Sequence, residues 1–401
     1  MIKLLRWILK KTGLNKYVNK MMKPLLFKKI YPRYYKKRAK KPMNEKKVVF
    51  IEVRFDEVTD NFKLIYERLE AMGYEISVCY LRNIVPGRKA YIKRCLNMLA
   101  EIADAHYVFL NDACDVTSCI DMRKETVLTQ VWHGCGAFKK FGMSTAEKIF
   151  GADRETLEKY PNYRNLDYVT VSSPEVVWAY EEAMNFKHED HIVRPVGVSR
   201  TDIFYDDGFK RRAADKLKEV FPQSEGKKVI LYAPTFRGRV KKAASPRRLD
   251  IGYLKALLGD DYVLVIKHHP FVKKPPVVPE EHADFALDVT KLMEIDELLC
   301  VSDICISDYS SLVFEYALFE KPMLFFAYDL ENYFDWRGFY YEYEELAPGP
   351  VVTTNKEIVS YIRQYEKHFD STRVHQFKEK FMSACDGHAT DKILKMIGIT
   401  E

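Results

Sequence analysis

No run of apolar residues reaches the roughly 18 that a membrane-crossing helix needs. The apolar start is broken by Lys3, Arg6, Lys10 and Lys11, with no small-residue cleavage site behind it. Neither a transmembrane span nor a secretory signal is therefore expected. The eight cysteines, at 79, 95, 114, 119, 135, 300, 305 and 385, form no C-x-x-C pair, and several lie in apolar runs such as Ile76-Ser77-Val78-Cys79-Tyr80. They read as reduced core thiols, which fits a reducing cytoplasm. Also missing are G-x-x-x-x-G-K-[ST], a G-x-G-x-x-G after the first strand, G-x-S-x-G and H-E-x-x-H. ATPases, dehydrogenases of the usual type, serine acyl hydrolases and zincins lose support accordingly.

Acidic residues are absent from the first 41 positions, which hold 15 of the 64 Lys and Arg, so a formal charge of +7 for the whole leaves −8 for the remainder. The basicity is local. Within it Leu14, Tyr17, Val18, Met21, Met22, Leu25 and Leu26 recur at helical spacing, with Lys16, Lys20, Lys23 and Lys28 off that stripe. Pro24 is expected to kink or end the helix, and Arg33, Lys36, Lys37, Arg38, Lys40 and Lys41 follow as a basic run. A greasy face with cationic flanks suits the headgroup layer of an anionic membrane, and the plainer reading is a helix packed on its own domain. An acidic body argues against a nucleic-acid groove.

The remaining chain, 47% apolar and 30% charged overall, is long enough for two ordinary domains. Buried strands are predicted at 47–53 (KVVFIEV), 75–81 (EISVCYL), 107–110 and 127–132, with a helix over 61–72 closed by Gly73. A second series follows at 228–233 (KVILYA), 262–267 (YVLVIK), 303–307 (DICIS) and 323–327 (MLFFA). Strand and helix in alternation give parallel α/β layers. The expectation is an α/β protein of two Rossmann-like domains facing a cleft. Residues 1–44 form a basic amphipathic segment, 45–210 an acceptor-side domain and 211–401 a nucleotide-side domain.

Four motifs carry the chemistry. Trp132-His133-Gly134-Cys135-Gly136 begins where a predicted strand ends, where open α/β sheets bind ligands. His133 there is either a turn residue or a general base, since imidazole titrates near neutrality. Ser310 and Ser311 stand between a strand and a helix with Glu315 one turn in. They read either as helix caps or as an anion site suited to a diphosphate, with Glu315 able to accept from ribose hydroxyls. Lys267, His268 and His269 close another strand before Pro270. Tandem His without further spaced ligands favours a phosphate or hydroxyl contact over zinc. Arg200, Arg237 and Arg337 each lie close to a glycine in a loop, where a guanidinium fork suits phosphate or is simply a surface charge.

Read in order, VWHGCGAFKKFG (131–142), GVSRTD (197–202), LYAPTFRG (231–238), IKHHP (266–270), the block ISDYSS through APGP (306–350) and the weaker DGHAT (386–390) resemble the CDP-glycerol glycerophosphotransferase family of wall teichoic acid primases and polymerases. The resemblance implies a glycosyltransferase B type fold, no metal or cofactor, and a donor of CDP-glycerol or CDP-ribitol. Its acceptor would be an undecaprenyl-diphosphate-linked disaccharide or teichoic acid chain at the cytoplasmic face of the membrane. By the same resemblance His133 is the catalytic base and His269 the second active-site histidine. Trp132 and Gly134 flank the base, Ser310 and Ser311 hold the donor phosphates, and Arg200, Pro234, Thr235, Lys267, His268, Glu315 and Arg337 are further substrate contacts. Glu315 replaces the family's usual Asp, and WHGCGAF departs from the common W-H-G-T-P. Rival readings are a nucleotide-sugar glycosyltransferase of the same fold and an inactive membrane-surface binding module.

Overall fold

The computed structural model describes residues 22–82, 87–148, 151–238 and 242–400. The stripe positions Leu14, Tyr17, Val18 and Met21 lie outside them.

Two six-stranded sheets, every neighbouring pair parallel, divide the chain. The first holds β1 (Asn44–Glu52), β2 (Glu75–Tyr80), β3 (Ala105–Leu110), β4 (Val127–Gln130), β5 (Tyr168–Thr170) and β6 (Val193–Arg194) in the order β2-β1-β3-β4-β5-β6. The second holds β7 (Lys228–Tyr232), β8 (Tyr262–Ile266), β9 (Ala286–Asp288), β10 (Ile304–Ser307), β11 (Met323–Phe326) and β12 (Val351–Val352) in the order β12-β11-β10-β7-β8-β9. Strands such as Val48-Val49-Phe50-Ile51 and Tyr262-Val263-Leu264-Val265-Ile266 are buried on both faces, as continuous apolar runs demand when helices cover both sides of a sheet. Each sheet has a point where strand order reverses, between β1 and β3 in the first and between β7 and β10 in the second, and such switch points open a crevice at the carboxyl ends.

Six strands, β1, β2, β4, β7, β8 and β11, end one or two residues short of their predicted limits, and β10 begins one residue late. β4 stops at Gln130 because Trp132 takes a left-handed backbone (φ 56°), which no strand continues. Asp303 precedes β10 rather than opening it, since its carboxylate accepts from Val229 N at 2.8 Å and ties the strand start to β7. The chain is helical on both sides of Pro24, and a π turn, Leu26–Ile30, precedes the helix Tyr31–Arg38. Widening the turn there accommodates the ring of Pro32. Tyr31 and Tyr35 are buried against the first half, while Arg33, Lys36, Lys37, Arg38, Lys40 and Lys41 face solvent. Among the described residues no helix is long and apolar enough to cross a membrane.

The C-terminal end does not stay with the second sheet, where the division at 211–401 puts it. Ile393, Leu394, Ile397 and Ile399 pack with Val48, Phe50, Phe62, Ile65 and Phe109 of the first. The crossing is secured by Asp202, whose carboxylate accepts from Ala389 N (2.9 Å) and Thr390 N (2.7 Å), and by the Ser199–Thr390 hydroxyl pair at 2.8 Å. That contact joins the GVSRTD and DGHAT segments. It also explains Gly197: a Cβ there would lie 2.5 Å from the Ala384 carbonyl oxygen and 2.7 Å from the Ala389 Cβ, at a φ of +96°. The two halves share one core, in which Phe314 of the second stacks on Phe377 at 5.2 Å and Phe138 of the first meets Phe339 edge-on at 5.5 Å.

Candidate active site

The loop after β4 is aimed by strain and packing. Trp132, left-handed and buried, lies against His133, Phe141 and Tyr180, with ring centroids at 4.5, 4.9 and 6.1 Å. Its N–H donates to Gln130 Oε1 at 3.1 Å. A bulky residue in this region costs energy, and such outliers persist where surrounding structure enforces them. The result is that His133 leaves the sheet at its carboxyl edge with Nδ1 3.0 Å from the Asn111 carbonyl oxygen. A carbonyl only accepts, so Nδ1 carries the proton and Nε2 keeps its lone pair. The imidazole edge is exposed, yet protein crowds its other sides. That loss of surrounding water lowers its pKa below the ordinary histidine value, Asp112 partly opposing and Arg54 and Arg200 reinforcing. At neutral pH the ring is uncharged and able to take a proton.

Behind it stands a network that belongs to none of the four motifs. Glu52, fully buried at the end of β1, accepts from Asn111 Nδ2 (2.5 Å), Thr59 Oγ1 (2.8 Å) and Arg54 N (3.0 Å). Arg54 forms an ion pair with Asp112. These residues are the polar exits of β1 and β3 at the first switch point, where Glu52 follows one apolar run and Asn111-Asp112 the other.

Across the cleft lies the second switch point. Gly134 faces Ser311: a Cβ on it would sit 3.6 Å from Ser311 Oγ. Gly136 is closer still, its left-handed backbone (φ 61°) laid on the Phe314 ring, which a Cβ would meet at 2.3 Å. Ser310 and Ser311 are part-exposed at the start of the short helix Leu312–Ala317, and Ser310 Oγ accepts from Leu312 N at 3.4 Å. Pro234 and Thr235 are buried beside them at the end of β7. Thr235 N donates to Asp308 Oδ1 (2.9 Å). Arg237 binds Asp329 (2.6 and 2.9 Å), Asp308 (3.0 Å) and Thr235 (2.8 Å), so its guanidinium holds the loops together and has no donor to spare for a phosphate. Asp308 and Asp329 are thus structural partners that the motif left unassigned.

Arg200 and Glu315 are brought together rather than presented to the cleft. Glu315 is buried and ion-paired with Arg200, which also lies 3.7 Å from Asp296. Arg200 comes from the first half and both carboxylates from the second. Arg200 Nε, Glu315 Oε2 and Asp296 Oδ1 are buried without a hydrogen-bond partner. Burial pushes Asp296 up to about 6, against the pull of Arg200. Lys267 also turns inward, donating to the Thr290 and Met293 carbonyls at 3.0 and 2.5 Å. His268 is buried on Ser245 (2.6 Å). His269, by contrast, sits between Phe236 and Phe271, each 4.7 Å away, and its Nδ1 accepts from Phe271 N at 3.2 Å, leaving Nε2 as the protonated nitrogen. The Arg337 side chain lies outside what the structure describes. Among the described residues no cluster of three or more His, Cys, Asp or Glu is placed to hold a metal.

The family model described as CDP-Glycerol:Poly(glycerophosphate) glycerophosphotransferase matches residues 33–398. This chain belongs to that family. It is 36% identical over 365 residues to a teichoic acid ribitol-phosphate primase of Bacillus spizizenii, covering 89% of this chain and 92% of that one. It is 28% identical over 353 residues to a teichoic acid glycerol-phosphate primase of Bacillus subtilis, covering 84% and 88%. A solved structure of the wall teichoic acid polymerase TagF shares the fold, with a TM-score of 0.73 at 22% identity over 96% of this chain and 97% of that one. The two-sheet architecture expected of the family is therefore present. Within it, the motif residues include a group at the cleft, namely His133, Gly134, Ser310 and Ser311, and a group that holds the cleft in shape, namely Arg200, Arg237, Lys267, His268 and Glu315.

Proposed function

We propose that this protein transfers an alditol phosphate from a CDP-alditol to a hydroxyl of a membrane-linked teichoic acid precursor and releases CMP. The observation that carries the reading is the fixed tautomer of His133, whose unprotonated Nε2 stands on a loop that meets Ser311 across the cleft. The acceptor oxygen attacks the β-phosphorus, forming a new O–P bond as the bond between that phosphorus and the bridging oxygen breaks. The acceptor's proton passes to His133, and CMP leaves with the bridging oxygen. Ser310 and Ser311 are assigned to the donor phosphates, and His269, with a proton on Nε2, to charge building on the phosphoryl oxygens. Phosphoryl transfer depends mainly on positioning and charge stabilisation, which side chains and backbone N–H groups supply here with no metal or cofactor assigned.

Ribitol phosphate is the favoured unit, because identity to the ribitol-phosphate primase exceeds identity to the glycerol-phosphate primase, 36% against 28%. We place the enzyme peripherally on the cytoplasmic face of an anionic membrane, held by the outward basic row Arg33, Lys36, Lys37, Arg38, Lys40 and Lys41. The test is CMP release with CDP-ribitol and CDP-glycerol in parallel on a lipid-linked disaccharide-type acceptor, with the product weighed by mass spectrometry. A mass gain of one or more ribitol phosphates is expected. Release from UDP-sugars instead, with neither CDP-alditol used, rejects the assignment.

A further inference from the structure

A cavity of about 600 Å³ opens on the face of the second sheet covered by the helices Ile251–Leu258 and Asn355–His368, away from the helix Leu312–Ala317. Its floor is Tyr232 and Ile266, the last residues of β7 and β8, with His268 beside them; one wall is Arg247 and Arg248, the other Pro276 to Pro279 with His282. Of its side-chain acceptors, Asp250 Oδ1 takes Tyr253 N (2.9 Å) and Asn355 Oδ1 takes Asp250 N (2.9 Å), which leaves Asp250 Oδ2 as the spare carboxylate oxygen; the Asn355 amide donor is spent on the Arg248 carbonyl (2.9 Å), so these two residues are largely engaged. The other donors are not. Among the described residues Arg247 has no ion pair or hydrogen bond, Arg248 has only the Tyr328 ring at 5.5 Å, and the Tyr232 hydroxyl is unbonded. His282 Nδ1 is buried without a partner, and Gly252 leaves room for its ring, since a Cβ there would be 3.0 Å from Nε2.

Two adjacent unpaired guanidinium groups, in a chain whose residues beyond 41 are net acidic, point to an anion. Exposed Lys273 and Lys274, on the loop that forms the opposite wall, extend the same field. Hydroxyl and imidazole groups on the floor suit ligand hydroxyls, and the Pro-Val wall suits a carbon chain. The volume takes a ligand of drug size, larger than a single phosphate. Position supplies the link to the reaction. β7 hands Tyr232 to this cavity and Thr235 to the cleft loops, and β8 hands His268 to it while His269 packs between Phe236 and Phe271.

We propose that this cavity is a second binding site, separate from the transfer cleft, for a phosphodiester-linked polyol, the body of an acceptor chain. It rests on the transferase reading for the identity of that ligand. The probe is a lipid-free oligomer of several alditol-phosphate units, titrated against the full chain with CMP saturating the donor site. Arg247→Ala/Arg248→Ala should weaken oligomer binding tenfold or more and flatten its salt dependence, and Tyr232→Phe should weaken it several-fold, while CMP affinity and turnover on a one-unit acceptor stay as in the parent. Unchanged oligomer affinity in the double variant overturns the proposal, as does displacement of the oligomer by inorganic phosphate at equal concentration. Loss of vesicle binding with oligomer binding intact makes the arginines a membrane contact and also overturns it. A parent protein that releases no CMP from any CDP-alditol rejects the transferase reading, and the titration, which needs no turnover, still decides this one.

Discussion

Asp296 gives the sharpest test of the buried charges between the two halves. It is buried beside Glu315 and Arg200, and its folded pKa of about 6 stands above the usual 3.8. A carboxyl group whose pKa is raised on folding favours the folded state fully only below its unfolded pKa, and that advantage is lost as pH rises through the folded value. Between 3.8 and 6 the gap is roughly two units, or about 3 kcal/mol of destabilisation once both states are ionised at pH 8. At pH 5, where the folded side chain still holds most of its proton, the same relation leaves about 1.6 kcal/mol. Asp296→Asn removes the titration while keeping the shape. Its urea midpoint should therefore rise above the parent's at pH 8, by about twice as much as at pH 5. A neutral or destabilising effect at pH 8, or a gain independent of pH, refutes the argument and means that Arg200 compensates both carboxylates in full.

Removing Arg200 has the opposite sign: Arg200→Met leaves two buried carboxylates facing each other, with an expected loss of about 3–5 kcal/mol, read by the same denaturation at pH 8. His133→Ala should lower CMP release by about 10²- to 10⁴-fold without changing the denaturation midpoint, and near-normal turnover would sink its role as base. Because the His133 pKa is depressed, the acid limb of kcat/KM in the parent should fall below the ordinary histidine value of about 6.5. Gly136→Ala drives a Cβ into the Phe314 ring at a left-handed backbone position, so overpacking of about 1–3 kcal/mol plus backbone strain of about 1–2 kcal/mol should appear as a lowered melting temperature, partly restored by Phe314→Leu. Replacing Lys36, Lys37, Lys40 and Lys41 by Ser should weaken binding to anionic vesicles while leaving turnover on a soluble acceptor unchanged, at about 1 kcal/mol per charge before saturation. Equal loss on soluble and lipid-borne acceptor would show a structural role.

The sequence by itself determined where the strands lie and which residues stand at their carboxyl ends. Apolar runs such as KVVFIEV and YVLVIK can be buried only as two-faced strands, and the polar groups that follow them must emerge at one edge of a parallel sheet. His133, Ser310 and Ser311 were legible on that ground. What the neighbours of each side chain would be was not. Tertiary structure decided that Glu315 pairs with Arg200 instead of waiting for a ribose, and that Arg237 is spent on Asp308 and Asp329. It decided as well that Lys267 and His268 turn inward while His269 does not, and that the last helix crosses to the first sheet. The reason is physical: burial patterns are periodic and local, whereas a charge takes its partner from whatever the fold brings beside it, here across 115 positions for Arg200 and Glu315 and 92 for Arg237 and Asp329.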